Sequence, residues 1–225
     1  GSWDTYRTFF AGNVLVEASG QKNFVFTPTT VSSNLMELKG IELRPIERDA
    51  VVKVRKVLTD AGLEGVVVEL TETARSAEDA ANSIDCELGA IVKSLVFKVG
   101  WRFVMALVAG DHKCIEGNLP AAFNLEGVVT RPKAAEVKCI TGFTIGGVAP
   151  IGLLQPLPMV IDRSLKRFDT VYAAAGHPHC VFGISVANLG RITEGIISTS
   201  IAEPLNPKKI AAVGLKAGRS FAEEE

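Results

Sequence analysis

From Arg48 to Leu63 the apolar residues Val51, Val52, Val54, Val57, Leu58 and Leu63 recur at the spacing of one helix face, and Gly62 stands where such a helix stops. The pattern predicts an amphipathic helix. Val66 to Leu70 then reads as a strand. Ser76 with Asp79 three residues on forms a capping-box-like start, Asp replacing the usual Glu, for a helix reaching about Ile84. Two longer strands follow, Ile91 to Val99 and Arg102 to Ala109, separated only by Gly100 and Trp101, the length of a hairpin turn. Beyond Gly110 and Asp111 the pattern predicts a helix near Ile115 to Phe123, a short strand at Gly127 to Thr130, and a helix with Pro132 at its first position. After a glycine-rich loop come three further strands, Leu157 to Ile161, Thr170 to Ala174 and Val181 to Val186, then a last helix and strand ending near Ala202. Helices and strands interleave without a strict βαβ rhythm. The expected fold is therefore α+β, a curved mixed β-sheet or barrel-like core surrounded by helices, rather than a doubly wound parallel sheet.

The ends of the chain lack this patterning. Residues 1–35 carry nine Ser or Thr and four charges with no sustained period beyond a short strand at Asn23 to Thr27, and Met36 opens a stretch that reads like a natural beginning. Residues 1–47 are accordingly read as a flexible or non-native extension, 48–203 as the folded domain, and 204–225, ending in Glu223 to Glu225, as a solvated tail. A chain of 225 residues accommodates one sizeable core, and 47% apolar with 22% charged residues is a globular composition. With 24 Lys and Arg against 25 Asp and Glu, a net charge of -1 provides no bulk field for DNA or an anionic membrane, although a polyanion can still be gripped locally. The four cysteines, at 86, 114, 139 and 180, form no CxxC pair, so neither a zinc ribbon nor a disulfide framework is indicated and a reducing cytoplasm is the expected setting. The most apolar stretches, Phe103 to Ala109 and Val148 to Ile161, are too short or too broken by Gly152, Pro156 and Pro158 to span a bilayer, which takes about 20 apolar residues.

Lys93 carries the most information about chemistry. In Ile91-Val92-Lys93-Ser94-Leu95-Val96-Phe97 the two-residue period places it on one face with Ile91, Leu95 and Phe97, where an ammonium is costly unless it meets an anion or lines a wet pocket. A gatekeeper at a strand edge or a snorkelling lysine explains the same pattern. The loop from Thr141 to Gly152 holds Gly142, Gly146, Gly147 and Gly152, which suits either a backbone cradle for an oxyanion or phosphate or a tight irregular turn. Asp162 reads equally as a helix N-cap and as a pocket carboxylate. Arg163, Lys166 and Arg167 form a solvated basic face or a set of phosphate contacts. His177 and His179 share one side of an extended segment without the third ligand that a metal site needs, and Ser185 lacks the strand-turn-helix setting of an activated nucleophile.

Together, Ile91 to Phe97, Leu107-Val108-Ala109-Gly110-Asp111, the loop Thr141 to Gly152, Ile161-Asp162 and Ala173 to His179 closely resemble the YbaK/EbsC family, stand-alone relatives of the editing domain inserted in bacterial prolyl-tRNA synthetases. The resemblance runs in order from about Arg48 to Ala202. It implies an aminoacyl-tRNA deacylase that hydrolyses the ester joining a wrong amino acid to the 3′ end of a transfer RNA, often tRNA(Pro), without a metal or other cofactor. Lys93, Gly146, Gly147 and Asp162 match the positions implied to be catalytic. Ser94, Thr141, Gly142, Pro150, Gly152, Gly176 and His177 fall at those implied to bind substrate. The implied partners are the acceptor 3′ end of an aminoacyl-tRNA and a synthetase, with no membrane and no DNA. His177-Pro178-His179 departs from the Gly-Lys-Arg-Gly found in some members. A non-catalytic module that holds aminoacyl-tRNA or a synthetase is the alternative from another class, and a metal-dependent hydrolase using His177 and His179 is a third.

Overall fold

A computed structural model describes residues 44–63, 67–70 and 76–205. The strand expected at Asn23 to Thr27, nearly all of the extension, and the tail beyond 205 lie outside the described residues. Helices are α1 (Asp49–Asp60), α2 (Ala77–Ser83), α3 (Leu119–Phe123), α4 (Ala134–Thr141) and α5 (Val186–Thr193). Strands are β1 (Val67–Glu69), β2 (Ile91–Val99), β3 (Arg102–Ala109), β4 (His112–Cys114), β5 (Val129–Thr130), β6 (Met159–Asp162), β7 (Val171–His177), β8 (Cys180–Ile184), β9 (Ile196–Ser198) and β10 (Ala202–Pro204).

Eight strands form one mixed, curled half-barrel sheet in the order β1-β8-β7-β2-β3-β6-β9, with β5 pairing β2 off this path. The antiparallel hairpin β2/β3 lies at its centre, in register from Val92↔Ala109 to Val99↔Arg102. Parallel pairing joins β7 to β2, β6 to β3 and β9 to β6. Because side chains alternate along each strand, the sheet buries two faces. Val92, Met105, Leu107, Ile161, Ala173 and Phe182 meet α1 and the glycine-rich loop on one face. Phe97, Val99, Val104, Ala106, Val108 and Val160 pack with Leu119 and Ile201 on the other. Farther along that second face, Ile91 and Val181 pack with Ala80 and Ala81 of α2.

Local chemistry accounts for the element ends. Ser76 Oγ accepts from Asp79 N and Asp79 Oδ2 accepts from Ser76 N, both at 3.1 Å, so the capping box at α2 is formed. The helix expected to begin at Pro132 starts later, at Ala134, because the Glu136 carboxylate accepts from Lys133 N at 2.8 Å and makes Lys133 the cap. The span read as one helix from Ile115 to Phe123 divides into a 3-10 turn, Glu116–Asn118, and α3. Strand β4 has no counterpart in the sequence reading, since three residues are too few to show a period. At the other end, Ile46 of the Pro45–Glu47 turn packs on the main core, so the folded unit takes in residues assigned to the extension. No helix among the described residues is long and apolar enough to cross a membrane.

Leu107 is fully buried in the larger core. Leu107→Ala is expected to cost about 2–5 kcal/mol, on the order of 10 °C in melting temperature. An unchanged melting curve would contradict the packing described.

Candidate active site

The hydrogen-bond directions in β3 define the site. Met105 N donates to Pro158 O at 2.9 Å and Ala109 N to Asp162 Oδ2 at 3.2 Å, so these peptide groups point away from β2. The peptide groups of Val104, Ala106 and Val108 face β2 by alternation, opposite Phe97, Leu95 and Lys93. By alternation, the peptide groups of Ser94 and Val96 point to the far edge of β2. Along that edge β7 pairs only Ile91 and Val92, and β5 only Lys98 and Val99. Between them no described strand meets β2, and a cavity of about 440 Å³ opens there.

Lys93, Ser94 and Gly146 line this cavity together with Ser76, Arg131, Tyr172 and Pro178. Lys93 emerges on the sheet face of Leu95 and Phe97, whereas the glycine-rich loop packs on the opposite face through Phe143, Val148, Ala149 and Ile151. The opening along β2 lets residues from both faces share one cavity. The Lys93 ammonium donates to Gly110 O at 3.1 Å and to His112 O. Burial holds its pKa below the ordinary lysine range, with Glu78, Asp111 and Asp162 pulling the other way. Ser94 Oγ is the one buried side-chain polar atom without a hydrogen-bond partner among the described residues. Leaving such a group unpaired costs roughly 1–3 kcal/mol.

The sequence model described as an aminoacyl-tRNA editing domain matches residues 71–192. The chain belongs to that family. It is similar to the uncharacterized protein YwhH of Bacillus subtilis, 36% identical over 124 residues that cover 55% of this chain and 78% of YwhH. It is 29% identical over 121 residues to the proline–tRNA ligase of Bacillus licheniformis, covering 52% of this chain and only 21% of the ligase. A solved structure of a protein proposed as a trans-editing enzyme for prolyl tRNA synthetase superposes with a TM-score of 0.63 at 32% identity, covering 67% of this chain and 96% of that one.

In this editing domain the remaining residues singled out from sequence stand behind the cavity wall. Asp162 does not line the cavity. It is a buried N-cap, accepting from Ser164 N at 2.9 Å and Ser164 Oγ at 2.5 Å as well as from Ala109 N. Thr141 Oγ1 donates to Val137 O at 2.7 Å and accepts from Phe143 N at 3.0 Å, and Gly142 is the left-handed C-cap of α4. Pro150 is buried, Gly152 lies beside Val54 of α1, and Gly176 presses on the backbone of Ala50. His177 Nδ1 accepts from His179 N at 3.2 Å, and burial, then the neighbouring His179, lowers its pKa. No group of three His, Cys, Asp or Glu among the described residues is placed to hold a metal ion.

Arg131 and Tyr172 line the cavity without having been singled out from the sequence. Arg131 binds Glu116 and sits 5.8 Å from the centroid of the Phe97 ring. Tyr172 is the one large side chain in Val-Tyr-Ala-Ala-Ala, a signal that small neighbours leave room around it.

Gly147 donates its N–H to Thr144 O at 3.0 Å, and a Cβ there would lie 2.8 Å from His177 Cα and 2.9 Å from His177 N. Gly147→Ala must push the loop off the β7/β8 turn. The expected loss is about 1–3 kcal/mol, with faster amide exchange at residues 144–148. Unchanged stability and exchange would show that the loop is not seated there.

Proposed function

We propose that this editing domain hydrolyses the ester that joins a wrongly attached amino acid to the 3′ end of a transfer RNA. The carrying observation is the unpaired edge of β2 at Ser94 and Val96, opening on a cavity beside a half-buried ammonium. Likeness to part of a proline–tRNA ligase and to a proposed trans-editing enzyme supports this substrate class, with tRNA(Pro) the favoured carrier.

An aminoacyl ester presents an α-ammonium group, a carbonyl and a short side chain. The carbonyl oxygens of Ser94 and Val96 are suited to the ammonium group. Their N–H groups and that of Gly146 are suited to the oxyanion that forms when the carbonyl is attacked. Gly147 is not among these donors because its N–H is already bound to Thr144 O. Each well-placed donor is worth roughly 3–4 kcal/mol in such a transition state. Two donors of the Lys93 ammonium are bound to backbone carbonyls, and the third is directed to the ester carbonyl or the phosphate of the terminal adenosine. Water, oriented by the neighbouring ribose hydroxyl, attacks the carbonyl carbon and gives up a proton. The carbon–oxygen bond to the ribose breaks and the ribose oxygen takes up a proton, leaving the free amino acid and the uncharged 3′ end. The ester is already activated, so positioning and charge stabilisation carry most of the work. A second site of this kind is needed because one methylene discriminates by only about 1–3 kcal/mol in a synthetase pocket.

The test is single-turnover release of free amino acid from a panel of mischarged tRNAs. The wild-type chain is expected to deacylate a subset. Lys93→Ala is expected to fold and to lose about 10²–10³-fold in rate. Full activity in Lys93→Ala would remove the assignment of that residue. Binding without any release would favour a module that holds aminoacyl-tRNA or a synthetase, and loss of activity with a chelator would favour a metal-dependent reaction at His177 and His179.

A further inference from the structure

Lys93 is held by a built cluster at the turn between β3 and β4, Gly110-Asp111-His112. All three carbonyls of this turn are bound: Gly110 O and His112 O accept from Lys93, and Asp111 O accepts from Leu205 N at 2.8 Å. The Asp111 side chain is clamped as well. Arg167 Nη2 donates to both carboxylate oxygens, at 2.8 and 2.9 Å, and His112 Nδ1 lies 2.7 Å from Oδ1. Burial works against ionisation of Asp111, but the bonds from Arg167 and His112 outweigh it and hold the carboxyl below its usual range.

Two close approaches fix this turn against the start of β2. A Cβ on Gly110 would lie 2.1 Å from Leu88 O, and a Cβ on Gly89 would lie 2.8 Å from both Arg167 Nη2 and Asp111 Oδ2. The 3-10 turn Leu88–Ala90 therefore closes directly onto the cluster and leads into the strand that carries Lys93. Arg167 is partly exposed in its pair with Asp111, and its bidentate contact together with His112 ties the carboxylate to the turn whose carbonyls hold Lys93, a geometry suited to positioning.

We propose that the Gly110–His112 turn, clamped through Asp111 and Arg167, aims the Lys93 ammonium by binding two of its three N–H donors and leaving the third for the substrate. This rests on Lys93 meeting the substrate, as argued above. Asp111 and Arg167 are positioning residues because they act through the turn. A displacement of about 1 Å at a reacting group can cost on the order of 10²-fold in rate.

The experiment compares Asp111→Asn, Arg167→Met and the double variant in the full chain. With the mischarged tRNA that the wild type deacylates fastest, each single variant is expected to lose about 10–100-fold in kcat with KM held within about threefold. The double variant should be no worse than the weaker single one, since both break one clamp. The charged and titratable groups around Lys93 are Glu78 of α2, Asp111 of the turn, Asp162 at the end of β6 and Cys114 of β4. Removing the Asp111 charge takes away one carboxylate that opposes the effect of burial. Lys93 then loses its proton at lower pH, and the basic limb of the kcat profile moves down with it.

A readout independent of activity is the Lys93 side-chain NMR titration, with the exchange rate of its Nζ protons. Asp111→Asn is expected to lower the titration midpoint, and both variants to speed the exchange. If neither variant changes the titration, the exchange or kcat, and only melting falls, the clamp is structural and the proposal is overturned. If the variants loosen Lys93 while Lys93→Ala remains fully active, the clamp stands and the reading of Lys93 as a substrate contact fails.

Discussion

Two peptide groups on the central strand, at Ser94 and Val96, point into a cavity at the place where a neighbouring strand would ordinarily meet them. Backbone donors and acceptors taken out of water are nearly always paired, so an unpaired stretch within a sheet is a demand for a ligand or for water. The gap exists because β7 leaves β2 after the Val92↔Ala173 pair and runs on to His177 against β8, while β5 pairs β2 only at Lys98 and Val99. That single constraint opens the candidate site, offers it alternating N–H and C=O groups, and lets both sheet faces contribute side chains to one cavity.

The cost of the gap is borne by the rest of the fold. Tight pairing of β2 with β3 over eight residues fixes its other edge, and two buried faces hold the hairpin from above and below. Lys93 stands on the second face between Ile91 and Leu95, which belong to different apolar clusters, so its ammonium sits at a seam rather than within a packed layer. The ammonium binds the carbonyls of Gly110 and His112, while burial lowers its pKa and the carboxylates of Glu78, Asp111 and Asp162 oppose that shift. The glycine loop, in turn, is docked by Gly147 against His177, so it serves as a wall with Ile145, Gly146 and Val148 at the cavity.

Much of this was legible in the residues themselves. The hairpin Ile91–Val99 and Arg102–Ala109 is announced by period-two alternation across a two-residue turn, and Ser76 with Asp79 announces α2. The inward face of Lys93 follows from the same alternation. The unpaired edge does not, because it depends on where the pairing of β5 and β7 with β2 ends, a property of contact between distant segments. Asp162 illustrates the same limit from the other side: cap and pocket carboxylate look alike in sequence, and only its bonds to Ser164 and Ala109 tell them apart. Arg131 and Tyr172 become site residues only when the sheet curls to bring β5 and β7 beside one cavity.

The gap itself is most directly tested by residue-resolved amide exchange along β2, with and without a non-hydrolysable aminoacyl-adenosine amide. Amides of Lys93, Leu95 and Phe97, bound to β3, should exchange slowly throughout. Those of Ser94 and Val96 should exchange fast in the free chain and become protected when the probe binds. Uniformly slow exchange in the free chain, or protection elsewhere with Ser94 and Val96 unchanged, would contradict the account.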